Sequence, residues 1–459
     1  MTEWMFMRVA TPALRAMLML AGAALAASGV AAARAAEVSA AAAAPVARAM
    51  ALPRAVSAES VGFSTARLGR LDRWMEGEIA ASRKSGVVVV IARHGKIAWE
   101  KAYGVADLTT KAPLRTDAMF RLFSMTKPIT SVALLTLYEQ GKFQLTDPLE
   151  RFIPAFSTVG VYAGTDSSGR PIVTPPKRKV TIQDVFRHTA GFAYSAYFES
   201  TPVDLAYKAA GIDYQKLDSL DELAGKLAQM PLLYEPGERW VYSWSHDVLA
   251  YLVEQLSGQR FDEYCRRTIF EPLGMKDTVF GIPGDRAARY PTAYRTDAAG
   301  TLVAYTPEED VYRRFATHPF GGVSVASTAE DYLRFAQMLM NGGELNGVRV
   351  LGPKAIELMR SDNLPPGTDY WAPGTRYGLG VSVLMDPARA GILGSKGQFG
   401  WPGLASTWFT VDPAQDLVAI VMTQFAPRDV RFDDQFQTLV YQALIGAPTV
   451  AASAQQRQK

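Results

Sequence analysis

The chain of 459 residues contains one cysteine, Cys265, and four histidines. A single thiol excludes an intrachain disulfide framework. Cys265 closes the stretch Phe261-Asp262-Glu263-Tyr264-Cys265, which has a helical pattern, and it reads as a packed thiol. His94, His188, His246 and His318 are scattered, and neither H-E-x-x-H nor C-x-x-C occurs, so no metal site and no cofactor is expected. Charge of one sign is lacking too. The formal net charge is +3 and no basic tract interleaves with aromatics, which excludes a nucleic-acid footprint. No internal repeat occurs. A G-x-S-x-G elbow is missing, since Gly322-Val323-Ser324-Val325-Ala326 lacks the final glycine.

What remains is ordinary globular composition, 48% hydrophobic and 20% charged, enough for one large domain with a sizeable core. At the N-terminus Arg8 and Arg15 precede an uncharged run from Ala16 to Ala33, then Ala33-Arg34-Ala35. That pattern predicts a cleavable signal peptide over 1–35. The competing reading is a retained membrane anchor, but the run is rich in alanine and glycine and makes a weak span. The expected location is therefore periplasmic or secreted. An Ala-rich tether is expected over 36–59, a folded domain over 60–446 and a disordered tail over 447–459.

Within the domain, Leu68, Leu71, Trp74 and Ile79 recur at helical spacing behind Ser64, a candidate N-cap. Val87–Ala92 and Ile97–Trp99 flank His94-Gly95, the signature of a hairpin. An apolar helix follows Ser124 and closes at Gly141. A helix start is predicted at Thr181, and another helix over Leu249–Leu256 ends at Gly258. Strand patterns return at Tyr377–Leu384, Ser406–Val411 and Leu417–Thr423, and a last helix is predicted over about Asp434–Leu444. Strands at both ends with helices between predict an α+β fold. Its antiparallel sheet would be built from N- and C-terminal segments and flanked by helices. A mostly helical lobe would be inserted at about 142–320. The cleft between sheet and lobe is the natural place for a site.

The chemistry centres on Ser124-Met125-Thr126-Lys127, the only S-x-x-K in the chain. On a helix this spacing puts serine and lysine on one face. A serine is a poor nucleophile without a base, and the lysine can bond its hydroxyl and help take its proton. Three further stretches join it. Tyr242, in Trp240-Val241-Tyr242-Ser243-Trp244, could act as a base beside a cation. Gly400-Trp401-Pro402-Gly403-Leu404 is a tight turn able to expose backbone N–H groups to a developing oxyanion. His188, in Arg187-His188-Thr189-Ala190-Gly191, could orient the site, and His246-Asp247 could support it, although both fit plain structural roles.

These motifs, with Tyr234-Glu235-Pro236-Gly237, Glu271-Pro272-Leu273-Gly274-Met275 and Gly321-Gly322-Val323-Ser324-Val325-Ala326-Ser327-Thr328, resemble the serine β-lactamase and penicillin-binding-protein superfamily. The likeness spans about 60–445 and is nearest to class C-like family VIII carboxylesterases. It implies Ser124 as acylated nucleophile, Lys127 as its activator, and Tyr242 as general base and proton shuttle. It implies an oxyanion hole from the N–H groups of Ser124 and Leu404. Related enzymes differ over which group is the base. Two departures set the expected substrate. Class C β-lactamases carry Tyr-x-Asn, where this chain has Trp244. They carry Lys-Thr-Gly, where it has Trp401-Pro402-Gly403. The lysine that would bind a β-lactam or peptide carboxylate is gone. Trp244, Trp401, Gly403 and Tyr194 are expected to line a pocket for an uncharged group, with Tyr197, Phe198, Tyr370, Trp371 and Trp408 as further candidates. Pro402 removes one N–H donor. The expectation is a serine hydrolase of short-chain carboxylic esters, with a small-molecule ester as its partner. A β-lactamase or D-amino-acid peptidase, and a non-catalytic penicillin-binding sensor, are the alternatives.

Overall fold

The computed structural model describes residues 52–194, 201–306 and 310–446. The predicted signal segment, the tether up to residue 51, the C-terminal tail, and Tyr197 and Phe198 lie outside the described residues.

Helix α1 spans Thr65–Ala80, and the Ser64 side chain caps it by accepting the Arg67 N–H. Its apolar stripe buries Leu68, Leu71 and Met75. Strands β1 (Gly86–Arg93) and β2 (Lys96–Gly104) form the predicted hairpin. His94 and Gly95 have φ of 55° and 68°, the left-handed pair that a two-residue turn between twisted strands requires. All eight residues of β1 are buried, because both faces of the sheet are covered. Val87, Val89 and Ile91 enter a core with α1, while Val88, Val90 and Ala92 face the opposite, larger core.

Helix α2, Thr126–Glu139, is buried at every position from Thr126 to Leu137. Buried on every side, it packs against α3, Ser245–Ser257, which ends at the left-handed Gly258. Helix α4, Ala329–Met340, covers the same sheet face. Strands β3 (Thr375–Tyr377), β4 (Ser382–Leu384), β5 (Phe399–Pro402), β6 (Trp408–Asp412) and β7 (Leu417–Thr423) then meander back. Helix α5, Val430–Tyr441, packs beside α1 on the outer face. The sheet has seven strands in the order β3-β4-β5-β6-β7-β1-β2, every pair antiparallel. Sheet strands thus come from both ends of the chain, and the α+β expectation holds.

Four local expectations are corrected. Residues 52–59 are not a loose tether: Ala55 N–H donates to Ile97 O at 2.9 Å, Ile97 N–H donates to Pro53 O at 2.8 Å, and Leu52 and Ala58 are buried. Tyr377–Leu384 is two strands and a turn, because Gly378 lies against the Met359 carbonyl and Gly380 takes φ 88°. The last helix starts earlier, at Val430, where Asp429 caps the Phe432 N–H. The segment 142–320 contains helices Ile182–Phe186, Pro202–Ala209 and Leu220–Ala228 besides α3, but also two small hairpins, Val161–Thr165 with Pro171–Thr174 and Tyr294–Thr296 with Leu302–Ala304. Their residues are largely solvent-facing, so no core periodicity marked them.

Candidate active site

A short strand, Phe120–Arg121, leads into a 3-10 turn, Phe123–Met125, and then into α2. Phe123 sits at φ 45°, left-handed and strained for a bulky side chain. Tyr312 holds it there: its hydroxyl accepts the Phe123 N–H at 2.5 Å and its ring packs edge-on at 5.0 Å. This turn leaves Ser124 half-buried at the mouth of the helix.

Lys127, one turn on, has no solvent exposure. Its Nζ donates to Ser124 Oγ at 3.3 Å and to Gly322 O at 2.9 Å. Tyr242 reaches the same serine from the loop before α3, its hydroxyl donating to Ser124 Oγ at 2.6 Å. The Lys127 Nζ also lies 4.5 Å from the centre of the Tyr242 ring. Serine, lysine and tyrosine therefore meet at one oxygen atom. His188, at φ 58°, packs its ring 4.9 Å from that of Tyr242 and 4.8 Å from that of His246. Burial, with Lys127 nearby, drives both imidazoles well below their usual pKa, so both are neutral. They pack the site as uncharged rings.

The third stretch arrives on β5. Gly403 comes so close to the preceding turn that an added Cβ would lie 2.2 Å from Leu122 O and 2.2 Å from Thr407 Oγ1. Only glycine fits there. Among the described residues, the N–H groups of Ser124 and Leu404 donate to no protein acceptor. A cavity of about 430 Å³ opens over Ser124, and Tyr242, Tyr194, Trp371, Trp401 and Leu404 are among its lining residues. Trp371 and Trp401 stack at 5.6 Å with their planes 10° apart.

Not every expected pocket residue reaches the cavity. Trp244 does not line it: the residue is fully buried behind Tyr194 and Tyr214, at ring distances of 5.3 and 4.2 Å. It sits at the start of α3, whose buried face directs the ring into the core. Trp408 is on the far face of the sheet against Phe436, as an outward residue of β6. Tyr370 borders a neighbouring cavity behind Tyr242. Three contributors escaped the sequence: Tyr312, Tyr214 and the carbonyl of Gly322. Gly321-Gly322 was visible as a motif, but a backbone acceptor leaves no side-chain signature. The buried thiol of Cys265 is pushed up by burial and lies outside the site. Among the described residues no His, Cys, Asp and Glu group is placed to hold a metal.

The Beta-lactamase family model matches residues 71–442, and the chain belongs to that family. An uncharacterized protein of Mycobacterium tuberculosis is 33% identical over 358 residues, covering 75% of this chain and 86% of that one. Esterase EstB of Burkholderia gladioli is 31% identical over 395 residues, covering 81% and 95%. Among solved structures, EstCE1, a hydrolase with promiscuous acyltransferase activity, superposes with a TM-score of 0.71 at 26% identity, covering 82% of this chain and 99% of that chain. Fold and family together make this chain a β-lactamase-fold serine hydrolase with esterase homologues.

Proposed function

We propose that the protein cleaves short-chain carboxylic esters through a covalent acyl-enzyme on Ser124. Tyr242, in its phenolate form beside the Lys127 ammonium, takes the serine proton and becomes a neutral phenol as Ser124 Oγ attacks the carbonyl carbon. The N–H groups of Ser124 and Leu404 hold the developing oxyanion. The proton passes to the leaving alcohol, and the same tyrosine then activates water for deacylation.

The observation that carries the ester over the amide is Trp401. It stands on β5 where a Lys-Thr-Gly lysine would bind a carboxylate, and it stacks with Trp371 beside Ser124. An aromatic wall there favours an uncharged acyl or alcohol group over a β-lactam or D-alanyl carboxylate. Intact Ser124, Lys127 and Tyr242 argue for a working enzyme over a sensor. Export to the periplasm or medium is part of this proposal, supported by the Arg8–Ala35 pattern.

Side-by-side turnover of p-nitrophenyl butyrate and nitrocefin, with Ser124→Ala as control, tests the reading. Fast, Ser124-dependent ester cleavage with slow nitrocefin turnover supports it. Dominant nitrocefin cleavage sinks it in favour of β-lactam chemistry. N-terminal sequencing of protein recovered from the periplasm tests export: a mature start near Ala36 is expected, and an intact Met1 would refute cleavage.

A further inference from the structure

Lys127 has no solvent exposure, and a buried ammonium needs a compensating charge. Ser124 and Gly322 O, its hydrogen-bond partners, are neutral. Asp247, in the first turn of α3, is the buried carboxylate whose charge acts on Lys127. The two groups are joined through one residue. Gly322 N–H donates to Asp247 Oδ1 at 2.8 Å, and Gly322 O accepts from Lys127 Nζ at 2.9 Å. A Cβ on Gly322 would lie 2.7 Å from Asp247 Oδ2, so the turn closes on the carboxylate only because residue 322 is glycine. The second oxygen, Oδ2, accepts from Tyr214 OH at 3.0 Å, and Tyr214 OH lies 3.2 Å from Tyr194 OH. Both tyrosines border the cavity above Ser124.

We infer that Asp247 is a positioning residue for Lys127: it supplies the counter-charge of the buried ammonium and pins the Gly322 carbonyl that aims it at Ser124. The inference rests on the serine-hydrolase reading of the same site. From α2 there is Lys127. From the lobe there are Tyr214, whose burial pushes its phenol well above the usual value, and Tyr194 beyond it. His246, on the same turn of α3, and His188 behind it are neutral. Burial raises the Asp247 carboxyl to about 6, against the opposing pull of Lys127, the Gly322 N–H and Tyr214. Asp247 is thus ionised at neutral pH and loses its charge as pH falls through that value. The Lys127 ammonium then loses its support, and Ser124 loses activation.

The rate at which a fluorophosphonate labels Ser124, followed from pH 5 to 9, tests this without depending on which carbonyl substrate the enzyme prefers. In the native protein the rate should fall as pH drops through about 6. Asp247→Asn keeps an acceptor for Gly322 but removes the charge. It should be labelled more slowly at pH 8, on the order of tenfold, the scale of one pKa unit of electrostatic support, and should lack the acid fall. Tyr214→Phe removes one donor from the carboxylate and should move the fall to higher pH, which serves if Asp247→Asn does not fold. A folded Asp247→Asn protein with the native rate at pH 8, or with the native acid fall, overturns the inference. So does a Tyr214→Phe profile that does not move. A native protein that takes no label at all overturns the serine-hydrolase reading and this inference together.

Discussion

Lys127 approaches Tyr242 from beneath its ring, 4.5 Å from the centroid, while the Tyr242 hydroxyl lies 2.6 Å from Ser124 Oγ. The cation and the serine thus act on different parts of one tyrosine. Replacing Tyr242 by Phe keeps the ring over the cation and removes only the oxygen. Ester turnover should fall by roughly 10²–10⁴-fold, the usual worth of a positioned base. The melting temperature should stay near the native value. Retention of full activity would assign proton transfer to Lys127 alone.

Trp371 and Trp244 make an opposed pair. Trp371 is 53% exposed at the cavity, whereas Trp244 is fully buried behind it. Trp371→Ala should raise KM for butyrate esters and change stability by about 1 kcal/mol or less. Trp244→Ala should cost about 3–5 kcal/mol of stability by opening a core cavity. Chemical denaturation and steady-state kinetics on both variants separate the two roles, and a specificity change with unchanged stability in Trp244→Ala would contradict the burial.

Gly403→Ala should damage both folding and activity. Its methyl would meet the Leu122 carbonyl and the Thr407 hydroxyl at 2.2 Å, and neither can step aside without moving the turn that carries Ser124. A stability loss of about 1–3 kcal/mol is expected, with kcat falling more than KM rises because the neighbouring Leu404 N–H is displaced. Wild-type kcat would remove Leu404 from the oxyanion hole.

Asp184 sets an acid limit on stability. Its carboxylate is fully buried and its pKa is lowered to about 2: burial alone would raise it, but bonds from Arg178, Thr181 and Arg187 outweigh that. A folded-state value below the unfolded one means stability present above about pH 4 and lost as pH falls towards 2. The amount is about 2 kcal/mol. Melting curves from pH 6 to 2 should show this loss, and Asp184→Asn should be less stable at pH 6 and flatter below pH 4. A parallel pair of curves would show that the ion pairs contribute nothing.

The sequence carried the sheet because Val87–Ala92 and Leu417–Thr423 are continuous apolar runs, legible without any tertiary knowledge. It carried the meeting of Ser124 and Lys127 because one helical turn links them. It did not carry the small hairpins, whose residues face water and have no core to pattern them. It misplaced Trp244 because a motif fixes a position along the chain, while the direction of the ring depends on which face of α3 is buried. The Asp247–Gly322–Lys127 chain joins three distant segments through a backbone group, and no local pattern encodes such a contact. His246-Asp247 was visible as a pair, but its burial was not.

The central strand of the sheet has a consequence for how the protein comes into being. Val90 stands opposite Ile420 in the antiparallel register, so β1 and β7 pair across a long stretch of intervening chain. A ribosome that has released β1 has not yet made its neighbour, and the wholly apolar run Val87–Ala92 must wait with one edge open until β7 emerges. The sheet can close only after β7 has been made. Such a chain is slow to fold and sticky while it waits.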